Sequence, residues 1–451
     1  MSLIKEEESD IKNLYRRIKK RDFSGNIGLA IKNSTYQFST NIVSKLGALI
    51  FTIILARIVL PETFGLYNLA LSTIMFFYVF SDLGVNEALI YFSSKTLNKN
   101  KAKTKAYIDH LFKIKLFLAI FSAIALIAFA KFISESYYRQ PIFLALIAGS
   151  LYIIFTSLQS FYMALSQSNN NFRYPLIKEV FLQVSRIVLI SLVILYVKRF
   201  NLTSSSNVSI IFILLLIISI FSLFIMYFLL IKNLKLKEVK ASELNKKDIK
   251  ELRRFIFEIA LITSSIMLLG NIDKIILGPF VPPEFVGYYS AAFSLVSASA
   301  FLIAFSDVFF PIFLRMRGKK LERAFKKTVI ATLLMSFVLF LFLLIFADPL
   351  IKIIFGGNYI SSINMLRALA FLALFFPLIE LYTSYIISKG NLDKIKRVVF
   401  FILVVSVILP FLLVKILSNY GPNVTVFGVI IGVVISKATH LGSLVWASRK
   451  I

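Results

Sequence analysis

Cysteine is absent from this 451-residue chain, which excludes disulfides, thiolate metal sites and cysteine nucleophiles. Histidine is almost absent. His110 and His440 are far apart in sequence, fall at or near the basic side described below, and form no metal-ligand spacing, so neither is given a role and no metal is expected. There is no Gly-rich phosphate loop followed by Lys, no nucleophile elbow and no His-Glu zinc helix. These absences argue against an enzyme and against a bound cofactor. Without a nucleotide site, any pumping must draw on an ion gradient (H+ or Na+), the membrane potential or the substrate gradient. The N-terminal segment MSLIKEEESDIKNLYRR has no apolar core of a cleavable signal, so the first apolar block is expected to serve as its own insertion signal.

Hydrophobic residues, by contrast, are abundant: they make up 58% of the chain, with a mean hydropathy of +0.82. Soluble domains average about 45–50% apolar, and a single soluble core stops growing at roughly 250–300 residues. The apolar residues come in blocks of about 20, enough to span ~30 Å of hydrocarbon at 1.5 Å per residue. The expected fold is therefore all-α, a polytopic membrane bundle of about twelve spans. Their approximate bounds are 36–59, 67–91, 111–132, 141–165, 176–197, 208–231, 258–278, 286–310, 328–346, 362–387, 398–417 and 425–446.

The net charge of +28 would suggest nucleic acid in a soluble protein. Here the positive-inside bias accounts for it. Alternate connectors carry 37 Lys and Arg on one side and six on the other (Lys131, Arg139, Lys198, Arg199, Lys352 and Lys415). Both termini are therefore expected in the cytoplasm of a plasma-membrane protein, with anionic lipids as partners of the basic connectors and no nucleic acid.

The chain also repeats. A shift of 222 residues lays Pro61-Glu62-x-x-Gly65-x-Tyr67 on Pro283-Glu284-x-x-Gly287-x-Tyr289 without a gap. Upstream of each copy lies a basic amphipathic stretch, Ile11, Leu14, Tyr15 and Ile18 in one and Ile249, Leu252, Phe255 and Ile256 in the other. Two six-helix lobes follow, 1–235 and 236–451, similarly oriented because each holds an even number of spans. In the motif, Pro is read as ending a span, Gly as permitting a tight turn and Tyr as an interfacial anchor.

The segment 55–92 resembles the start of the polysaccharide flippase family, within the multidrug/oligosaccharidyl-lipid/polysaccharide export superfamily. The resemblance rests on Ala56-Arg57, Pro61-Glu62, Gly65, Tyr67 and Asp82-Leu83-Gly84. Asp273, Gly278, Gly287 and Tyr289 within 271–292 resemble its seventh helix and following turn. The resemblance implies a flippase that carries a glycan on a polyprenyl phosphate or pyrophosphate between leaflets by alternating access. With twelve spans instead of fourteen, the chain departs from the bacterial peptidoglycan-precursor exporters. Two further readings remain open: an ion-coupled exporter of small cationic or amphipathic compounds, and a membrane enzyme or assembly scaffold.

Charges within the spans are the candidate site, because a charge at a membrane helix centre costs about 2.5–3.5 kcal/mol on insertion scales. Lys45 and Arg186 fall roughly 12–15 Å from the basic end, and Asp82 and Glu380 reach about the same level from the opposite direction. Four such groups can line a cavity whose cations hold a phosphate; the alternative is that they are paired structural charges. Asp273 and Lys274 point about 100° apart, so one is expected toward the cavity and the other toward a neighbouring helix. Arg57 is read as an interfacial anchor or a gate contact. Lys113, Lys115 and Lys437 are expected to snorkel to the headgroups.

Overall fold

A computed structural model describes residues 25–97, 99–197, 199, 203–231, 239–303, 313 and 318–449. The first amphipathic stretch (Ile11 to Ile18) and the lobe boundary at 235/236 lie outside the described residues. Every regular element described is helical. The N-terminal lobe contains α1 (Gly25–Ile58), α2 (Pro61–Val79), α3 (Val85–Thr96), α4 (Lys101–Lys131), α5 (Phe143–Ser168), α6 (Arg173–Ser185), α7 (Ser191–Val197) and α8 (Ser204–Ile231). The C-terminal lobe contains α9 (Lys246–Leu268), α10 (Ile272–Leu277), α11 (Pro283–Ile303), α12 (Gly318–Ile345), α13 (Ala347–Ile354), α14 (Ser362–Leu369), α15 (Leu372–Ser388), α16 (Leu392–Leu417) and α17 (Pro422–Arg449).

Nine described helices are long and apolar enough to cross a membrane, ten if the pair α9 and α10, bent by 57°, counts as one passage. The expected count of twelve adds the helices that begin at Pro61 and Pro283. Both are interrupted by Ser, Thr, Gly or Asn, and they pack against each other in the interior, where polar side chains meet protein instead of lipid. Asn68 and Thr73 of α2, for instance, donate to the Phe64 and Leu69 carbonyls at 2.8 and 2.9 Å.

The contact between these two helices corrects the turn reading of the repeated motif. Pro61 occupies the first helical turn of α2, where its missing N–H is no loss. Gly65 and Gly287 lie inside helices, not in turns. A Cβ at Gly65 would overlap the Pro283 carbonyl, and one at Gly287 would overlap the Pro61 carbonyl. Glycine is needed for backbone approach between the lobes. Tyr67 and Tyr289 are not interfacial anchors either, being 5% and 0% exposed. Tyr67 stacks on Phe212 at 5.5 Å.

Two expected spans are broken. The second breaks at Phe80–Gly84, where Leu83 (φ 45°) and Gly84 (φ 82°) adopt the left-handed conformation. Gly84 sits so close to the α9 backbone at Ile256 and Ala260 that a side chain would crowd it. The seventh breaks between α9 and α10. Leu252, Phe255 and Ile256 of α9 pack on the N-terminal lobe, whereas Ile262 and Leu269 pack on the C-terminal lobe.

The core is divided unevenly. At the end bearing Pro61 and Pro283, one large apolar cluster joins both lobes, including Leu55, Phe64, Ile74, Leu277, Tyr289 and Tyr359. At the end bearing the Lys-rich connectors there are two clusters, one running from Val85 to Leu165 of the N-terminal lobe and joined by Leu252 of α9, the other including Leu321 and Ala447 of the C-terminal lobe. The lobes thus share one core at the Pro61 and Pro283 end, whereas at the basic end their cores are separate and α9 bridges them, with Lys103 of α4 paired to Asp248 of α9 at 2.8 Å.

Candidate functional site: a polar cavity between the lobes

A cavity of about 590 Å3 lies where the two lobes part. From the N-terminal lobe, α1 supplies Asn41 and Lys45, one helical turn apart. From the C-terminal lobe, α10 supplies Asp273 just past the break at Gly270, and α16 supplies Ser406. Helix α15 contributes Phe376, Glu380, Thr383 and Ser384, and α17 contributes Val433, Ser436, Lys437 and His440. Spacings of three and four residues put each set on one face of its helix.

Of the sequence-derived candidates, Lys45, Glu380 and Asp273 come together in this cavity. Asp273 is 5% exposed, and Tyr289 donates a hydrogen bond to its Oδ2. The repeated motif therefore holds a cavity carboxylate in place through its tyrosine. Lys274, 8% exposed, turns to the Phe293 ring at 5.2 Å.

Arg186 and Asp82 are not among the cavity-lining residues. The Arg186 guanidinium lies over the Phe51 ring at 4.5 Å and donates to Gln183 Oε1 at 2.6 Å. Asp82 forms a buried ion pair with Lys115 at 2.8 Å and accepts from the Asn86 amide nitrogens at 3.2 and 3.1 Å. Lys115 is 0% exposed, which overturns its reading as a snorkelling residue: a carboxylate within reach in the interior replaces the trip to the headgroups. The Asp82 group braces the break in the second span.

Two cavity residues went unrecognised in the sequence. Lys437 lines the cavity with its ammonium 5.9 Å from the Phe376 ring centre, instead of snorkelling. His440, expected near the surface, is 7% exposed. Their common signal was their spacing from Val433 and Ser436 on one stripe of α17.

Arg57 resolves as a link between lobes. Its Nε donates to the Ile354 carbonyl at 2.7 Å and its Nη2 to the Ile353 carbonyl. These are the last carbonyls of α13, where the helix leaves acceptors unsatisfied and a cation is favoured. Tyr359, buried just beyond α13, has its phenol pKa pushed up by desolvation. Gly278 of the C-terminal lobe makes room for the ring of Tyr138 from the other lobe.

Two lobes of apolar helices that share a core at one end and flank a charged cavity define a multi-pass membrane protein. The chain belongs to the polysaccharide biosynthesis protein family, whose profile matches residues 30–317, well over half its length. It is similar to the teichuronic acid biosynthesis protein TuaB of Bacillus subtilis, 27% identical over 128 residues, 28% of this chain and 26% of that protein. An uncharacterized membrane protein of Methanocaldococcus jannaschii is 24% identical over 389 residues, 85% of this chain and 91% of that one.

Among solved structures, an inward-facing multidrug resistance MATE family transporter of the MOP superfamily matches with a TM-score of 0.67 at 13% identity, over 90% of this chain and 94% of that one. The lipid II flippase MurJ, in an inward closed conformation, matches with a TM-score of 0.67 at 14% identity, over 92% and 87%. These likenesses establish the fold.

Proposed function

We propose that the protein is a flippase that carries a polyprenyl-(pyro)phosphate-linked oligosaccharide from the cytoplasmic to the outer leaflet by alternating access, for cell-surface glycan assembly. The observation that carries this reading is the cavity between the lobes, where Lys45 and Lys437 face Asp273 and Glu380. Two lysines from different lobes give a phosphate two cationic contacts, and closing the lobes brings them together. The carboxylates balance the lysines' charge in the empty site. Family membership and the partial match to TuaB support a glycan as cargo. The exporter of cationic compounds requires a net acidic cavity; this one carries two lysines against two carboxylates.

In this reading the basic end is cytoplasmic, the membrane is the plasma membrane, the Lys-rich connectors rest on anionic lipids, and the conformation is open toward the cytoplasm. The two moving bodies divide near residue 235. An ion gradient (H+ or Na+) or the membrane potential supplies the drive. The test is translocation of a fluorescent polyprenyl-phosphate-linked sugar in reconstituted vesicles. Lys45→Gln and Lys437→Gln are each expected to lower the rate at least about tenfold, as loss of a charge-assisted contact implies. Wild-type rates in both variants remove the phosphate site.

A further inference from the structure

One wall of the cavity carries four polar atoms with no hydrogen-bond partner among the described residues: Asp273 Oδ1, Ser406 Oγ and both ring nitrogens of His440. The three side chains are 5%, 6% and 7% exposed, in that order, and come from three different helices, α10, α16 and α17. An unpartnered buried polar atom is costly enough to need an explanation wherever it occurs. Neighbouring groups do not supply one. Tyr289 serves the other Asp273 oxygen, Ser436 Oγ donates to the Gly432 carbonyl at 2.8 Å, and Lys437 lies over Phe376.

The donor and acceptor pattern selects the missing partner. Asp273 Oδ1, when ionised, only accepts; a neutral imidazole donates from one nitrogen and accepts at the other; a serine hydroxyl does both. An ionised phosphate offers acceptors alone and leaves Asp273 Oδ1 unserved. An ammonium or metal cation cannot accept from the imidazole N–H. A sugar ring presents several hydroxyls, each both donor and acceptor, and can serve all four atoms.

We infer that Asp273, Ser406 and His440 form a sugar-binding wall that reads the hydroxyls of the first sugar attached to the carrier phosphate. This rests on the flippase reading, in which Lys45 and Lys437 hold the phosphate beside it. The two halves of the head group are then recognised by different chemistry: charge for the phosphate and paired donors and acceptors for the sugar. Of the three, Asp273 follows directly after the break between α9 and α10.

The experiment uses the purified full-length protein in lipid nanodiscs and two probes, a polyprenyl phosphate and the same lipid bearing one hexose on its phosphate. The wild type is expected to bind the hexose-bearing lipid about tenfold more tightly. His440→Phe and Ser406→Ala reduce that ratio to below about threefold. Lys45→Gln weakens both lipids alike. His440→Phe also raises the unliganded melting temperature, because an apolar ring replaces an unpartnered polar one, and this shows the variant folded. Equal wild-type affinity for the two lipids, or a ratio unchanged in both wall variants, overturns the sugar wall and leaves the flippase reading standing. A wild type that binds neither lipid overturns the flippase reading, and the wall with it.

Discussion

Gly65 of α2 lies against the Pro283 carbonyl of α11, and Gly287 of α11 lies reciprocally against the Pro61 carbonyl of α2. The two copies of one sequence motif thus meet each other across the lobe interface. This contact closes the end opposite the cavity, and any motion that opens that end must separate the two helices.

A methyl group at either glycine forces the helices apart. Gly65→Ala and Gly287→Ala are each expected to destabilise this conformation by about 1–3 kcal/mol, the usual cost of overpacking. Thermal unfolding in detergent checks the size of the effect. An unchanged melting temperature in both variants contradicts the close approach.

Arg57 acts on the same closure from the end of α1. Its two bonds to Ile353 and Ile354 exist only while the lobes are together at this end. Arg57→Ala should shift the balance toward the state open at the α13 end, by about tenfold for the loss of charge-assisted bonds from an exposed group. Arg57→Lys, which keeps the charge but not the planar fork, should give a smaller shift. Distances between spin labels on α13 and on the end of α1 report it.

The Asp82–Lys115 pair is structural and should behave as a unit. Asp82→Asn or Lys115→Met alone leaves a buried charge without its partner and is expected to cost about 3–5 kcal/mol, whereas the double variant recovers much of that loss. Additive losses in unfolding measurements on the three variants contradict the pairing.

The membrane bundle was legible because span length and connector charge are properties of the chain alone. The expected spans 141–165 and 425–446 fall within α5 (Phe143–Ser168) and α17 (Pro422–Arg449) to within a few residues. The repeat was also legible, but its purpose was not. Nothing local tells a glycine in a turn from one where two helices touch, since the touching partner is 222 residues away.

The site was half legible for a related reason. Counting residues gives depth, and depth placed Lys45, Glu380 and Arg186 at one level. It does not give the direction a side chain takes around its helix. In a soluble helix an apolar stripe reveals the buried face; in a membrane the lipid face and the packed face are both apolar. Arg186 therefore turned out to face Phe51, while Lys437 and His440 faced the cavity.

The most direct test of the account is whether the cavity opens to both sides of the membrane in turn. The chain has no cysteine, so a single cysteine placed at Thr383 in the cavity reports alone. Labelling with a membrane-impermeant maleimide should proceed only from the side of the Lys-rich connectors at rest, and from both sides while a lipid-linked sugar is being carried. Labelling from one side alone, with or without that lipid, would contradict alternating access through this cavity.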